Sequence, residues 1–307
     1  MTAPAEDEVL GLLRAKAALD GEALDRALHR HLLQRLVAWV ASSALRKRLI
    51  LKGALLLDVF NDPKHQRRHR HTQCADFLAV GPIEPVAIQE ALTEVHGDNL
   101  VGASFDLDSL SIRAAPPFRG VRTSIARVIG RVHDRWLPLA FRLEHFEGRA
   151  PEHTDVFVHP VVSVPSMPHP RPLAITEEAA MAERVESLYW CGARGVRFED
   201  FVDLRLLIEA TSVDPAEVSD ALGEAFVRRK LPLPTSLPAS LHESFLNDPE
   251  VAGRWERFLQ RERGVRGDKK GARAKRMSAE EQLSRVAGTL ADRVSAWLAG
   301  LPTRPAG

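Results

Sequence analysis

Between Gly21 and Leu45 the apolar residues Leu24, Leu28, Leu32, Leu36 and Trp39 recur at spacings of three and four, and Leu33 and Val40 widen the stripe. That period lays one apolar face along a helix. A short apolar strand follows at Arg48–Lys52, then Gly53, then a second helix from Ala54 to about Phe60, which Asn61, Asp62 and Pro63 bring to an end. Gln73–Val80 reads as a second strand. Ile83–His96 reads as a helix entered through Pro82 and closed near Gly97. Val121–Val132 and Trp136–Phe146 read as antiparallel strands turning at His133, Asp134 and Arg135. In the second of these, Leu139, Phe141 and Leu143 alternate with Ala140, Arg142 and Glu144, the pattern of a half-buried strand.

The stretch from Arg149 to Pro172 is rich in Pro and His and reads as a segment winding over the surface. From Thr176 onward the period becomes helical, over 177–191, 198–210, 214–229, 238–246, 250–262 and 278–299, with a Gly/Lys/Arg break at Gly264–Arg276 that reads as a mobile linker. Strand–helix alternation followed by helices alone predicts an α+β chain. An α/β domain with its N-terminal helix is expected over residues 1–172. A helical domain is expected over 173–307, with the basic linker 264–276 and a C-terminal helix.

Composition narrows the class. Of 307 residues, 45% are hydrophobic and 27% charged, the balance of an ordinary globular chain. Cys74 and Cys191 are too few for a disulfide scaffold and lack metal-ligand spacing, so a reducing, cytoplasmic setting is expected. The first residues carry acids rather than a basic flank and apolar core, and no run reaches the ~18 apolar residues of a membrane span. Net charge is only +1, but the cations cluster. Lys64, Arg67, Arg68 and Arg70 crowd one loop, and Arg261–Arg276 holds eight Lys/Arg against Glu262 and Asp268. Such patches attract phosphate backbones, RNA included. A solvated loop and a flexible basic linker explain them equally well.

A strand ending in glycine, a helix, and a second strand carrying acids make a recognisable arrangement. Small residues at the turn let the backbone approach triphosphate oxygens, and the helix N-terminus favours anions. Alternate carboxylates on the second strand hold Mg²⁺, and a third from a neighbouring strand completes a two-metal site for in-line attack on phosphorus. Here the first element is LILKGALLLDVF, with Lys52, Gly53 and Ala54 at the turn. The second is Arg70 to Leu78, RHTQCADFL, with Thr72, Cys74 and Asp76. Three later stretches follow in order: PLAFRLEHFEG from Pro138 to Gly148, EAAMAERVESLYWCGARGVRFEDFVDL from Glu178 to Leu204, and AFVRRKLPLPTSLP with DPEVAGRWERFL beyond it.

Together, from about Leu24 to Leu298, these blocks resemble the AbiEii/AbiGii-type nucleotidyltransferase-like toxin family. The resemblance implies a DNA polymerase β-type mixed sheet followed by a helical bundle. It also implies Mg²⁺ and an NTP as cofactors, a cognate antitoxin, and transfer of nucleotides to tRNA or another target. It puts the metal carboxylates at positions 74, 76 and 142, the triphosphate-supporting cation at Arg184, and further acids at Asp200 and Asp203. Nucleotide contacts fall to Lys52, Gly53, Ala54, Thr72, Arg184 and Asp200, and catalytic duty to Asp76, Asp203 and Arg184. Position 74, however, is a cysteine, whose thiolate is a soft ligand for a hard cation. Position 142 is an arginine, a permanent positive charge. Glu144, on the same face as Arg142, could offer a displaced carboxylate, though about 6.5 Å further along the strand.

Three readings stay open. One is an impaired transferase that binds nucleotide, RNA or a partner. A second is a working transferase with a metal site rebuilt from Asp76, Glu144 and Asp203. The third is a protein-binding module on the same scaffold. Each residue also has a plainer reading: Gly53 as a tight turn, Asp76 as a surface acid, Asp200 as a helix cap, Asp203 as a partner of Arg197 or Arg205, and Cys74 as a small buried hydrophobe. His65, His69 and His71 read as solvent-facing residues of the basic loop.

Overall fold

A computed structural model describes residues 3–60, 72, 74–81, 83–95, 102–118, 120–146, 148, 150–165, 167–169, 171–266 and 278–301. These fall into two compact units, one built from residues 3–59 and 72–175, the other from 176–264 and 278–301.

The first unit is organised by a mixed sheet. Its strands are β1 (Leu49–Lys52), β2 (Cys74–Val80), β3 (Ser104–Phe118), β4 (Val121–Val132), β5 (Arg135–Phe146), β6 (His153–Asp155) and β7 (Leu173–Ile175). Among the described residues their order is β3-β4-β5-β2-β1-β7-β6. The pairs β3–β4, β4–β5, β1–β2 and β6–β7 are antiparallel, whereas β2–β5 and β1–β7 run parallel. The hairpin between β4 and β5 turns at His133 and Asp134, and His133 takes a positive φ of 53°. On one face Ala75, Phe77, Phe141 and Leu143 are fully buried, and the Phe77 and Phe141 rings meet edge to face at 6.3 Å.

Helix α2 (Leu24–Ser42) packs on β2, β4 and β5. A Cβ at Gly130 would stand 2.8 Å from Leu139 and 3.2 Å from Leu32, so the bare glycine lets helix and sheet close together. Trp39 stacks on Phe105 at 4.8 Å and its Nε1 donates to the Leu92 carbonyl of α4 (Pro85–Glu94), at 2.8 Å. Gly53–Leu55 forms a single 3-10 turn that leads into α3 (Leu56–Phe60).

Several elements depart from the sequence reading. The N-terminal residues form α1 (Ala3–Asp20), whose stripe buries Val9, Leu10 and Leu13 but is interrupted by charges that blur its period. Strand β3 has no clean alternation, because a register shift separates Asp106 from Ser111 and Pro116 and Pro117 lie at a second shift between Ala115 and Phe118. The Pro/His-rich stretch is not confined to the surface. It contributes β6 and buries Val156, Val164 and Met167. The basic residues 64–70 and most of the linker, residues 267–276, lie outside the described residues, as do the three histidines of that loop. The linker's first residues, up to Arg266, belong to a helix.

The second unit is helical: α5 (Glu177–Cys191), α6 (Phe198–Ala210), α7 (Pro215–Arg228), α8 (Glu243–Leu246), α9 (Pro249–Arg266) and α10 (Ala279–Ala299). Helix α5 packs on α6 and α7, and α10 on the same two. Start signals match local chemistry. Thr176 accepts from the Ala179 amide, Asp214 accepts from the Ala216 amide with Pro215 opening α7, and Ser278 and Glu281 form a reciprocal capping box on α10.

His31, fully buried on α2, yields a pH dependence. Burial, and secondarily the nearby Arg35 charge, push its pKa from 6.5 down to about 3. The unfolded chain takes up this proton near pH 6.5 and the folded chain only near 3, so the contribution is intact above 6.5 and lost as pH falls toward 3. Urea titrations across that range should show a shallower acid loss for His31→Leu than for the native chain. An unchanged slope would refute the assignment.

Candidate nucleotide site

Register decides which side chains meet. Lys52 of β1 pairs with Asp76 of β2, and Asp76 pairs with Arg142 of β5. Cross-strand partners share a face, and so do residues two apart. Lys52, Cys74, Asp76, Arg142 and Glu144 therefore project from one side of the sheet, opposite Phe77 and Phe141.

On that side the Arg142 Nη1 lies 3.7 Å from Asp76 Oδ1, with the two side chains 29% and 19% exposed. Cys74 Sγ is 3.5 Å from the same Asp76 oxygen. Deeper, Lys52 Nζ donates to Glu144 Oε2 at 3.0 Å, each side chain only 3% exposed. Glu144 is thus a buried ion-pair partner rather than a solvent-facing residue of the β5 alternation. Burial raises the Asp76 carboxyl above its usual range. The Arg142 charge opposes that rise, Glu144 adds to it, and Lys52 and the Cys74 hydrogen bond oppose it again.

Gly53 closes the constellation from the backbone. Its φ is +80°, and a Cβ there would fall 2.5 Å from Asp76 Oδ2 and 2.9 Å from Asp76 Cβ. Both the left-handed conformation and the contact exclude a side chain, so Gly53 is more than a tight turn. Ala54 is buried in the 3-10 turn, and Thr72 Oγ1 donates to the Cys74 carbonyl at 2.9 Å.

The remaining sequence candidates belong to the helical unit and form their own cluster. Arg184 on α5 lies 3.1 Å from Asp203 Oδ2 and 3.7 Å from Asp200 Oδ1, both on α6. Ser187 Oγ donates to Asp200 Oδ2 at 2.6 Å, and Arg197 approaches the same oxygen at 4.0 Å. Asp200 and Asp203 are each 1% exposed. The plainer reading of Asp200 needs correction. The N-cap of α6 is Arg197, so Asp200 sits inside the first turn and serves a buried ion pair rather than a cap. Asp203 faces Arg184, whereas Arg205 pairs with Glu209 at 2.7 Å. The Lys52–Glu144 pair was not legible in the chain, because nothing local says that a lysine ending one strand will meet an acid 92 residues later. Among the described residues, no three His, Cys, Asp or Glu side chains converge as a bound ion would require.

Residues 34–276 match the family described as Nucleotidyl transferase AbiEii toxin, Type IV TA system. The chain belongs to this family. The match runs through the sheet of the first unit and into the helices of the second. No curated protein matches the chain. Solved structures with distant similarity include a candidate nucleotidyltransferase from H. pylori, at 15% identity and TM-score 0.43, covering 92% of this chain and 100% of that one. JHP933 from Helicobacter pylori has 12% identity and TM-score 0.39, covering 90% and 98%. An antigenic nucleotidyltransferase-like protein from Paracoccidioides brasiliensis has 14% and 0.35, covering 65% and 89%. The family assignment rests on the matched residues 34–276 and not on these distant folds.

Breaking the buried pair gives a stability test. Lys52→Ala leaves the Glu144 carboxylate buried without its cation and should cost about 3–5 kcal/mol in chemical denaturation. The double variant Lys52→Met with Glu144→Leu should recover most of that loss. Equal stabilities for Lys52→Ala and the native chain would show that the pair contributes nothing.

Proposed function

We propose that this member of the AbiEii family is impaired in metal-dependent nucleotide transfer and keeps the Asp76 site for binding. One observation carries the reading: a guanidinium faces Asp76 in strand register, 3.7 Å from its carboxylate. The family's chemistry implies Mg²⁺ and an NTP. Mg²⁺ asks for near-octahedral oxygen ligands at about 2.0–2.1 Å. Asp76 offers oxygen, Cys74 a thiol and Arg142 only donors, so this set does not fit the ion. Losing the electrostatic partners of phosphoryl transfer costs on the order of a thousandfold or more in rate.

A site rebuilt from Asp76, Glu144 and Asp203 is disfavoured by their contacts. Glu144 is committed to Lys52 at 3.0 Å, and Asp203 to Arg184 at 3.1 Å. Under this reading Gly53, Ala54 and Thr72 lie on the nucleotide side of the site, Lys52 is held by Glu144, and Arg184, Asp200 and Asp203 hold the helical unit together. Family membership supports a cognate antitoxin as partner. The cation-rich segments 64–70 and 261–276 support RNA, tRNA included, as a second ligand in a cytoplasmic setting.

The decisive assay incubates the native protein with Mg²⁺, each labelled NTP in turn, and total tRNA. Label in RNA should not rise above the protein-free blank, and any labelling above that blank would overturn the reading. The paired substitution Cys74→Asp with Arg142→Asp should then create a Mg²⁺-dependent rise in thermal stability absent from the native chain. A folded repaired variant that ignores Mg²⁺ would reject positions 74, 76 and 142 as the family's metal face.

A further inference from the structure

We propose that Arg142 acts in place of a metal ion, so that the Asp76 site takes the polyphosphate of a nucleotide without any divalent cation. This deepens the preceding reading and rests on it for the location of the nucleotide site. In a two-metal centre the cation lies between protein carboxylates and phosphate oxygens, drawing both. A guanidinium 3.7 Å from Asp76, its side chain 29% exposed, supplies a positive charge beside the carboxylate. Its planar fork suits phosphate oxygens.

The pairing of charges lowers the repulsion that a bare anion meets. A face of three carboxylates repels a polyphosphate until metal neutralises it. On this face each acid has a cation beside it, Asp76 with Arg142 and Glu144 with Lys52. An incoming anion therefore meets no uncompensated carboxylate. Mg²⁺ bound to the ligand's phosphates removes charge that Arg142 would otherwise attract, and brings a second cation against the first. The divalent ion should thus weaken binding here, the reverse of its effect on a metal-dependent transferase. Gly53, with no side chain, lets the Asp76 carboxylate pack against the turn at the end of the first strand.

The test is calorimetric titration of the native protein with ATP, CTP, GTP, UTP and inorganic tripolyphosphate, each in EDTA and in excess Mg²⁺. Binding should be present in EDTA and weaker in Mg²⁺. Arg142→Gln should lose about tenfold or more of the EDTA affinity, whereas Arg142→Lys should retain part of it. Tripolyphosphate binding in EDTA would support recognition through the phosphates, as would nucleotide binding that Arg142→Gln abolishes. Binding only in Mg²⁺, no binding by any of the five ligands, or full affinity in folded Arg142→Gln would overturn the proposal. The comparison of EDTA with Mg²⁺ needs only the native chain, so it stands even if a variant fails to fold. Binding only in Mg²⁺ with no RNA labelling overturns this inference and leaves the preceding reading standing. No binding at all removes the binding half of that reading as well, and RNA labelling removes its impairment half by itself.

Discussion

Parallel pairing of β2 with β5 governs what Asp76 can do. Because a strand turns alternate side chains to alternate faces, fixing Asp76 opposite Arg142 also fixes Cys74 and Glu144 on the same side and sends Phe77, Phe141 and Leu143 into the core. A slip of one residue would bury the charges and expose the aromatic rings. The hydrophobic face thus enforces the polar one, and the chemistry of the site is set by packing on the opposite side of the sheet.

Within that frame the charges are arranged in two layers. The inner pair, Lys52 with Glu144, is almost completely shielded, and its loss falls on stability. The outer pair, Asp76 with Arg142, keeps partial exposure. A metal centre would call on both acids at once. Here each acid stands beside an organic cation, Asp76 beside Arg142 and Glu144 beside Lys52.

Much of this was legible in the residues. The helical half follows its periods closely, because Thr176, Asp214 and Ser278 announce helix starts by side-chain bonds to nearby amides. The turn at Gly53 and the strands at 49–52 and 121–146 were likewise readable from local pattern. What stayed hidden depends on distant partners. Strand β3 is irregular by itself and becomes a strand by pairing with β4. The contribution of Val156, Val164 and Met167 to the core could not be told from a Pro-rich surface stretch. Of the site, positions 74, 76 and 142 could be named from motifs. The partnership of Glu144 with Lys52, and of Arg184 with Asp203, required coordinates.

The borders of the sheet carry a last consequence. One margin ends in β6, three exposed residues long, and the other in β3, where Pro116 and Pro117, which carry no amide hydrogen, lie at a register shift. A foreign strand aligning on either margin finds too short a ladder or an interrupted one. The architecture thereby resists fibre-like accretion while crowded copies are being synthesised, an advantage independent of any reaction the protein performs.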